Sequence, residues 1–203
     1  MKIFGVGRNY ADHAKELGNE IPDEPIIFTK PETAVLKNDA PFYYPTFSQD
    51  IHFEVELLIR ISKEGKNISP RFANKYFNEI GIGIDFTARD LQTIAKKKGL
   101  PWDIAKGFNG SAPLSLFVPL AQFPEDKNIN FSIYQNKELK QVGNSKQMIF
   151  DFSYLVAYIS KYFTLKKGDV IFTGTPSGVG SIAVGDLLEA YIEGQKMLIC
   201  EIK

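Results

Sequence analysis

The feature that most constrains the fold is a series of short, strand-like apolar runs spread along the whole chain. The runs read "KIFGV", "PIIFT", "HFEVELLIRI", "EIGIGID", "INFSIY", "DVIFTG", "DLLEAYI" and "KMLICEI", and turn signals such as "KKGD", "AVGD" and "EGQK" separate them. The regular alternation of strands and helices that builds a doubly wound parallel sheet is missing. We therefore expect one α+β domain over residues 1–203, a strand-rich mixed roll or sandwich with a few short helices.

Three or four helices are predicted between these runs. "NYADHAKELG" has Asn9 as an N-cap and Gly18 as a C-terminal stop. "PRFANKYF" begins with a proline, which the first turn of a helix tolerates. "TARDLQTIAKKKG" carries a capping-box pattern, with Thr87 as the cap and Asp90 three residues later. "DFSYLVAYISKYF" is amphipathic at helical spacing, and its apolar stripe is expected to be core: Phe152, Leu155, Val156 and Ile159.

Charge and composition exclude several classes of partner. Lysine plus arginine number 24 and aspartate plus glutamate number 24, so nothing in the net charge favours nucleic acid or an anionic membrane. No apolar run approaches the ~20 residues of a membrane span, and Arg8 interrupts the N-terminal apolar run, which argues against a secretory signal. Cys200 is the only cysteine, so no intrachain disulfide can form. We expect a cytoplasmic protein with neither nucleic acid nor membrane as a partner.

Two glutamates, Glu54 and Glu56, interrupt the most apolar of the runs. In a strand both side chains point to the same face, with their Cα atoms about 6.5–7 Å apart. Two charges at that spacing repel by roughly 2–2.5 kcal/mol at an effective dielectric near 20. Arg60 cannot easily neutralise the pair, because it lies about 13 Å along the strand from Glu56. Either the strand is half-exposed and its polar face meets water, or the two glutamates share a cation.

A third carboxylate, Asp85, favours the second reading. It follows the run "EIGIGI" and precedes a helix, where oriented N–H groups and the helix dipole attract anionic ligands. Asp90 already has its capping role, whereas Asp85 has no such local duty. Three carboxylates with no histidine or cysteine nearby in sequence suit Mg²⁺, Mn²⁺ or Ca²⁺ rather than zinc. A divalent cation would turn the repulsion between Glu54 and Glu56 into joint attraction to one ion.

Four motifs, in their order and spacing, resemble the fumarylacetoacetate hydrolase superfamily: "EVELLIRI", "GIDFTARDLQ", "KKKGLPWDIAKGF" and "TGTPSGVG". The N-terminal "VGRNYADHAKE" narrows the resemblance to small single-domain members of the acylpyruvase and oxaloacetate decarboxylase type. The resemblance extends from Gly5 to the last hairpin, and it implies the mixed β-sandwich roll of that family's catalytic domain. It also implies that Glu54, Glu56 and Asp85 hold a catalytic divalent cation, Mg²⁺ or Mn²⁺.

The resemblance assigns substrate contacts to four more residues. Arg89 and Gln92 lie three apart on one helix face, and they would bind the substrate carboxylate, which the fork of an arginine matches in geometry. Thr175 of "TGTPSGVG" would offer its hydroxyl to the same carboxylate. Lys106 would contact the keto acid held on the metal. This chain has Gly107 after that lysine where relatives have serine, a departure that could alter substrate preference.

The resemblance also makes the first helix a lid that closes over the substrate. His13 and Glu16 are three apart on it, so their side chains can meet. A carboxylate that accepts one ring proton orients the imidazole and strengthens it as a base, and this dyad would activate water. The only other histidine is His52, so candidates for a histidine base are few.

The implied activity is cleavage of a C–C bond in small 2-oxo acids through a pyruvate enolate held on the metal. The reaction would be hydrolysis of an acylpyruvate, decarboxylation of oxaloacetate, or both. A decarboxylase/isomerase or fumarylpyruvate-type hydrolase of aromatic catabolism remains an alternative. A different class is an idle metal- or nucleotide-binding module resting on "TGTPSGVG", although that loop lacks the G-K-[ST] of a P-loop. The resemblance further implies a homodimer.

Overall fold

Strands dominate the computed structural model of the protein, which describes residues 1–16, 18 and 20–203. In chain order the strands are β1 (Ile3–Gly7), β2 (Ile26–Lys30), β3 (Val35–Leu36), β4 (Ile51–Phe53), β5 (Val55–Ile61), β6 (Phe77–Ile84), β7 (Thr87–Ala88), β8 (Ala112–Pro113), β9 (Val118–Pro119), β10 (Asn130–Gln135), β11 (Glu138–Asn144), β12 (Val170–Phe172), β13 (Gly180–Ser181), β14 (Leu187–Ile192) and β15 (Gln195–Glu201). The α-helices are α1 (Ala11–Glu16), α2 (Arg89–Lys98), α3 (Asp103–Lys106) and α4 (Phe152–Tyr162). Leu17, inside the predicted first helix, lies outside the described residues.

The strands form one large mixed sheet, one antiparallel sheet and two small ones. The large sheet has the order β2-β1-β12-β5-β6-β9, and within it only β1 and β12 run parallel. The antiparallel sheet has the order β11-β10-β14-β15, and the small sheets are β13-β4-β7 and β3-β8. The predicted strand-rich α+β fold is therefore confirmed.

Strand β5 is buried on both faces because it lies between β12 and β6 in the large sheet. Leu57 and Ile59 belong to the main core, whereas Leu58 packs in a second apolar cluster with side chains of β1 and β12. The half-exposed strand is thus ruled out, since the exposed fraction is 5 % for Glu54 and 2 % for Glu56. The predicted single strand is also interrupted at Glu54, which separates β4 from β5.

The predicted capping box before α2 is wrong. Ala88 is the N-cap residue and makes no side-chain cap bond, while Thr87 belongs to β7, which pairs with β4. The carboxylate of Asp90 instead accepts hydrogen bonds from the Ser48 hydroxyl (2.7 Å) and the Gln49 N–H (3.1 Å). Asp90 still has a structural role, but it fastens the chain before β4 to α2.

The other helix predictions are partly corrected. The Asn9 side chain does not serve α1: its Nδ2 donates to the carbonyls of Phe150 (2.9 Å) and Thr173 (2.7 Å). Gly18 has φ +64° and donates its N–H to the Lys15 carbonyl, as the predicted stop requires. "PRFANKYF" forms a 3₁₀ helix over Pro70–Lys75. The apolar stripe of α4 is buried in the main core, as predicted.

Two further sequence predictions concern the environment of the chain. Among the described residues, no helix has both the length and the apolar character needed to cross a membrane. Cys200 is a free, buried cysteine, and burial raises the pKa of its thiol to about 12.

Candidate active site

Three carboxylates converge where β5 begins and β6 ends. Glu54 precedes β5, Glu56 lies in it, and Asp85 directly follows β6. The Asp85 N–H donates to the Glu54 carbonyl (2.8 Å), which fixes the two chain segments side by side. One carboxylate oxygen of each residue lies within 4.8 Å of the others, and all three residues are buried. This set of hard oxygen donors fits a single divalent cation such as Mg²⁺ or Mn²⁺.

Positive charges surround the cluster unequally. Lys106 Nζ donates to Glu54 Oε2 (2.9 Å) and Asp85 Oδ2 (2.7 Å). Arg89 Nη2 donates to Glu54 Oε1 (2.5 Å), and Lys30 Nζ lies 2.7 Å from Asp85 Oδ1. Glu54 and Asp85 therefore each have two cationic partners, whereas the described residues provide none for Glu56.

The pKa values of the two glutamates diverge for this reason. Burial, followed by the charges of Asp85 and Glu54, raises the pKa of Glu56 well above its usual range. Burial acts in the same direction on Glu54, but the charges of Lys106 and Arg89 outweigh it and hold its pKa well below that range. Glu56 is thus the carboxylate that lacks positive charge, and a divalent cation shared by the cluster would supply it.

The loop "TGTPSGVG" holds both the cluster and the first helix. The Gly174 N–H donates to Glu56 Oε2 (2.6 Å), and the Gly178 N–H donates to Glu16 Oε1 (3.0 Å). Gly174 has φ +101°, and a Cβ there would lie 2.6 Å from the Cβ of Asn9, so the position requires glycine. Because two amides of the loop already bind carboxylates of the protein, the nucleotide-binding alternative lacks those donors for a phosphate.

The predicted dyad of the first helix is in contact. His13 is buried, and its Nδ1 lies 3.2 Å from Glu16 Oε2. Since Glu16 also binds Gly178, α1 is fastened over the pocket that the cluster opens into. His52 instead pairs with Asp50 (2.9 Å) and does not line that pocket.

The predicted carboxylate-binding residues are adjacent but partly engaged. Arg89 Nη1 donates to Gln92 Oε1 (2.7 Å), and the Arg89 Nε is buried with no hydrogen-bond partner among the described residues. A buried donor without a partner calls for an explanation, and a bound carboxylate would provide one. The Thr175 hydroxyl donates to the Val55 carbonyl (2.8 Å) and accepts from Gln141 Nε2 (2.8 Å), so these bonds compete with its predicted contact to substrate.

One pocket collects the predicted residues. Every predicted site residue except Glu16 lines it, and Glu16 lies behind His13. The open space at its centre is only ≈ 20 Å³, about the room that one water needs. The rest of its wall consists of Val6, Gly7, Arg8, Phe28, Lys96 and Trp102.

Sequence reasoning missed Lys30, which is central to this site. Its side chain is 0 % exposed, and besides contacting Asp85 it donates to the carbonyl oxygens of Lys106 and Ser111. The sequence signal is a lysine at the end of the run "PIIFTK", and by itself that pattern is typical of an exposed strand end. Nothing local indicates that this ammonium faces a carboxylate 55 positions further along the chain.

Gly107, the departure from the family pattern, lies against the chain next to Lys30. A Cβ at this position would lie 2.9 Å from the Asp103 carbonyl and 3.1 Å from Pro31 Cδ. The glycine therefore lets the end of α3, which carries Lys106, pack closely against the segment after β2.

The fold and the carboxylate site agree with the protein family that sequence comparison finds for this chain. The family model described as "Fumarylacetoacetate (FAA) hydrolase C-terminal" matches residues 2–203, and the chain belongs to this family. Its relatives include "Oxaloacetate decarboxylase, mitochondrial" of Dictyostelium discoideum, 46% identical over 95% of this chain and 89% of the relative. "Oxaloacetate tautomerase YcgM" of Escherichia coli K12 is 42% identical over 97% of this chain and 90% of the relative.

A cattle protein and one solved structure are also similar to this chain. "Oxaloacetate tautomerase FAHD1, mitochondrial" of Bos taurus is 42% identical over 95% of this chain and 87% of the relative. The crystal structure of fumarylpyruvate hydrolase from Pseudomonas aeruginosa, in complex with Mn²⁺ and pyruvate, superposes with a TM-score of 0.94 at 34% identity. That match covers 100% of this chain and 89% of the other.

Proposed function

We propose that this protein is a divalent-metal-dependent enzyme that cleaves a C–C bond in small 2-oxo acids. The reaction is decarboxylation of oxaloacetate, hydrolysis of an acylpyruvate, or both. The buried cluster of Glu54, Glu56 and Asp85 carries this proposal, because Glu56 has no cationic partner among the described residues. The similarity to the Dictyostelium decarboxylase and to the Pseudomonas hydrolase with Mn²⁺ and pyruvate supports both the metal and the substrate class.

Different side chains of the pocket have different roles in binding a 2-oxo acid and in its reaction. Glu54, Glu56 and Asp85 would hold a divalent cation, which would supply Lewis-acid chemistry at the 2-oxo acid group. Arg89, through its unpartnered Nε, and Gln92 bind and orient the substrate carboxylate. The ammonium of Lys106 adds positive charge where the keto oxygen becomes an enolate oxygen.

The His13–Glu16 dyad matters for hydrolysis, which needs an attacking water, and not for decarboxylation, which needs none. With Nδ1–H donating to Glu16, His13 keeps Nε2 free to take a proton from that water. The open space of ≈ 20 Å³ is too small for a four-carbon acid. A substrate therefore needs a larger opening, which lifting of α1 would provide by breaking the bond from Gly178 to Glu16.

A second candidate is keto–enol tautomerisation of oxaloacetate, which the names of the cattle and Escherichia coli relatives favour. A proton leaves the carbon beside the keto group, and the enolate of oxaloacetate itself forms, with both carboxylates retained and no C–C bond broken. Protonation of its oxygen then gives the enol. Lys106 would stabilise this enolate in the same way. The ultraviolet absorbance of the enol, followed together with pyruvate release, distinguishes tautomerisation from cleavage.

We expect EDTA to abolish protein-dependent pyruvate release, measured above a protein-free blank with the same metal, from both oxaloacetate and acetylpyruvate, and Mn²⁺ or Mg²⁺ to restore it. His13→Gln should lower acetylpyruvate hydrolysis by roughly 10²–10⁴-fold, the usual contribution of a general base. Oxaloacetate decarboxylation should stay close to wild type in this variant, because no water attacks. Steady-state pyruvate release measures both.

His52→Gln is the matched control, since this histidine lies outside the pocket, and both activities should survive it. A His13→Gln variant that hydrolyses acetylpyruvate at the wild-type rate would remove the dyad from the mechanism. A wild-type protein that neither releases pyruvate nor tautomerises oxaloacetate with either metal would overturn the proposed function.

We further propose a single-domain homodimer in the cytoplasm. The dimer rests on the family resemblance, and the single domain on a family match that spans residues 2–203. The cytoplasmic location is proposed because the chain has a single cysteine, although the Dictyostelium and cattle relatives are named mitochondrial. Sedimentation of the purified protein at the monomer mass, or its recovery in an organelle fraction of source cells, would contradict these assignments.

A further inference from the structure

Two cations in the wall of the pocket have no carboxylate partner. Arg8 follows β1, Lys96 lies in the last turn of α2, and both line the pocket that holds the carboxylate cluster. Lys30, Lys106 and Arg89 all form ion pairs with that cluster. Within the part of the chain that the structure describes, Arg8 and Lys96 form none. The pocket therefore has excess negative charge around Glu56 and excess positive charge at its wall.

Neither Arg8 nor Lys96 is in a favourable environment in the ligand-free protein. Arg8 has φ +58°, in the left-handed region that is sparsely populated by residues other than glycine. Its Nε is buried and has no hydrogen-bond partner among the described residues. Burial, followed by the charges of Arg89 and Arg8, lowers the pKa of Lys96 to about 8. An anion bound between Arg8 and Lys96 would relieve this repulsion and satisfy the unpaired donor.

Aromatic rings frame this part of the wall. Lys96 Nζ lies 5.7 Å from the centroid of the Trp102 ring, which packs at 6.0 Å against the ring of Phe28. Trp102 also covers Gly7, where a Cβ would lie 3.2 Å from the ring. Apolar surface beside the two cations lowers the local dielectric, which strengthens their attraction for an anion.

We propose that Arg8 and Lys96 form a subsite for a second carboxylate, so that the pocket selects 2-oxo dicarboxylic acids over 2-oxo monocarboxylic acids. The inference rests on the proposed function, in which the carboxylate cluster, Arg89 and Gln92 take the keto-acid end of the substrate. The distal carboxylate then lies toward Arg8 and toward Lys96, which is one turn after Gln92 on the same face of α2. Arg8 and Lys96 are thus the residues that determine specificity for the far end.

The subsite has a kinetic consequence for oxaloacetate. In decarboxylation the bond between the carbon beside the keto group and the distal carboxyl carbon breaks. Its electron pair enters the enolate, and the distal carboxylate leaves as neutral CO₂. Cations that bind this carboxylate therefore stabilise the substrate more than the transition state, which lowers KM without raising kcat. In tautomerisation, or in hydrolysis of a substrate with a remote carboxylate, the distal charge is retained throughout.

The test compares two ligands that differ only in the distal carboxylate. L-malate and L-lactate share a 2-hydroxy acid head, and calorimetry on the Mn²⁺-loaded protein gives the affinity for each. The wild type should bind malate at least tenfold more tightly than lactate, as expected of a charge-assisted contact. Lys96→Met and Arg8→Asn should each reduce that preference about tenfold through weaker malate binding, with lactate binding unchanged.

Matched variants separate this role from a structural one. Lys97→Met removes an exposed lysine one position along α2 and should retain the full preference, as should Lys96→Arg, which keeps the charge. Asparagine tolerates the backbone conformation at position 8, so Arg8→Asn should unfold at or above the wild-type temperature. Lys96→Met should raise KM for oxaloacetate about tenfold without lowering kcat for decarboxylation.

Equal affinity of the wild type for malate and lactate would overturn the subsite. So would a full preference for malate in both Lys96→Met and Arg8→Asn. A wild type that prefers malate but turns over neither oxaloacetate nor acetylpyruvate would retain the subsite and overturn the proposed function.

Discussion

Replacing Glu56 with glutamine is expected to abolish metal-dependent turnover and to stabilise the metal-free protein. Loss of an anionic ligand should weaken Mn²⁺ binding by more than the roughly 10–100-fold that outer partners of a metal ligand contribute. The stabilisation follows because Glu56 is buried beside Glu54 and Asp85, and its pKa is raised well above its usual range. A carboxyl group with such a raised pKa lowers stability as the pH rises from its unfolded-state pKa through its folded-state pKa.

Thermal unfolding in EDTA and in Mn²⁺ measures both effects. In EDTA the Glu56→Gln variant should unfold at a higher temperature than wild type, by roughly 2–4 °C for each kcal/mol of relieved repulsion. Added Mn²⁺ should raise the unfolding temperature of the wild type only, since it binds only an intact site. The glutamine oxygen can still accept the Gly174 N–H, so that contact is preserved.

Glu138→Gln is the control for this prediction, because that side chain is 74% exposed and its ion pair is with Lys140. It should change neither Mn²⁺ binding nor the unfolding temperature appreciably. If Glu56→Gln binds Mn²⁺ as tightly as wild type, Glu56 is not a metal ligand. If it unfolds earlier than wild type in EDTA, Glu56 is not the carboxylate that lacks positive charge.

Lys30→Met is expected to destabilise the protein by about 3–5 kcal/mol, the usual effect of removing one partner of a buried ion pair. The lysine neutralises one oxygen of Asp85, and it also donates to the carbonyls of Ser111 (3.0 Å) and Lys106. Methionine fills similar space but leaves Asp85 Oδ1 without its ammonium partner. The carbonyls of Ser111 and Lys106 each lose one of two donors, since they still accept from the Phe86 N–H (3.0 Å) and the Ser111 hydroxyl (2.8 Å). Urea unfolding in EDTA, with the dependence on urea concentration checked against wild type, measures the loss.

A double-mutant cycle separates the ion pair from the other contacts of Lys30. Adding Asp85→Asn to Lys30→Met should recover part of the lost stability, because the carboxylate left without its partner becomes a neutral amide. Lys146→Met is the control, since Lys146 and Asp126 are both exposed and lie 3.7 Å apart; its effect should stay below about 1 kcal/mol. A Lys30→Met loss as small as that of the control would refute the role of Lys30 as a buried counter-charge.

The carboxylate cluster could be predicted from sequence because its geometry is mostly local. The period of two along a strand places Glu54 and Glu56 on one face, and Asp85 lies at a recognisable strand end. The chain leaves the strand at Glu54, yet the cluster still forms, because the Asp85 N–H binds the Glu54 carbonyl across the two segments. The family resemblance then placed His13 in the pocket wall, and that position agrees with the structure.

The residues that sequence reasoning missed depend on contacts between distant parts of the chain. Lys30 meets Asp85 and Ser111 only after the sheet has assembled, and Gln141 reaches Val55 from another sheet. The capping error at Thr87 has the same origin. A local pattern favoured a helix cap there, but pairing of β7 with β4 placed the residue in a strand, where its hydroxyl accepts from Lys106 Nζ (2.6 Å).

Because β5 lies in the middle of its sheet, strand pairing fixes the floor of the pocket, where Glu56 lies. The wall of the pocket is not constrained in this way. A slip of β5 by one residue would send the Glu56 carboxylate to the opposite face and break pairing with both neighbouring strands. The wall is built differently, because α1, α2 and the start of α3 present His13, Lys96 and Trp102 from outside the large sheet. Substitutions there leave the strands in register, so a new substrate is accommodated by changing helices while the strand that carries Glu56 stays the same.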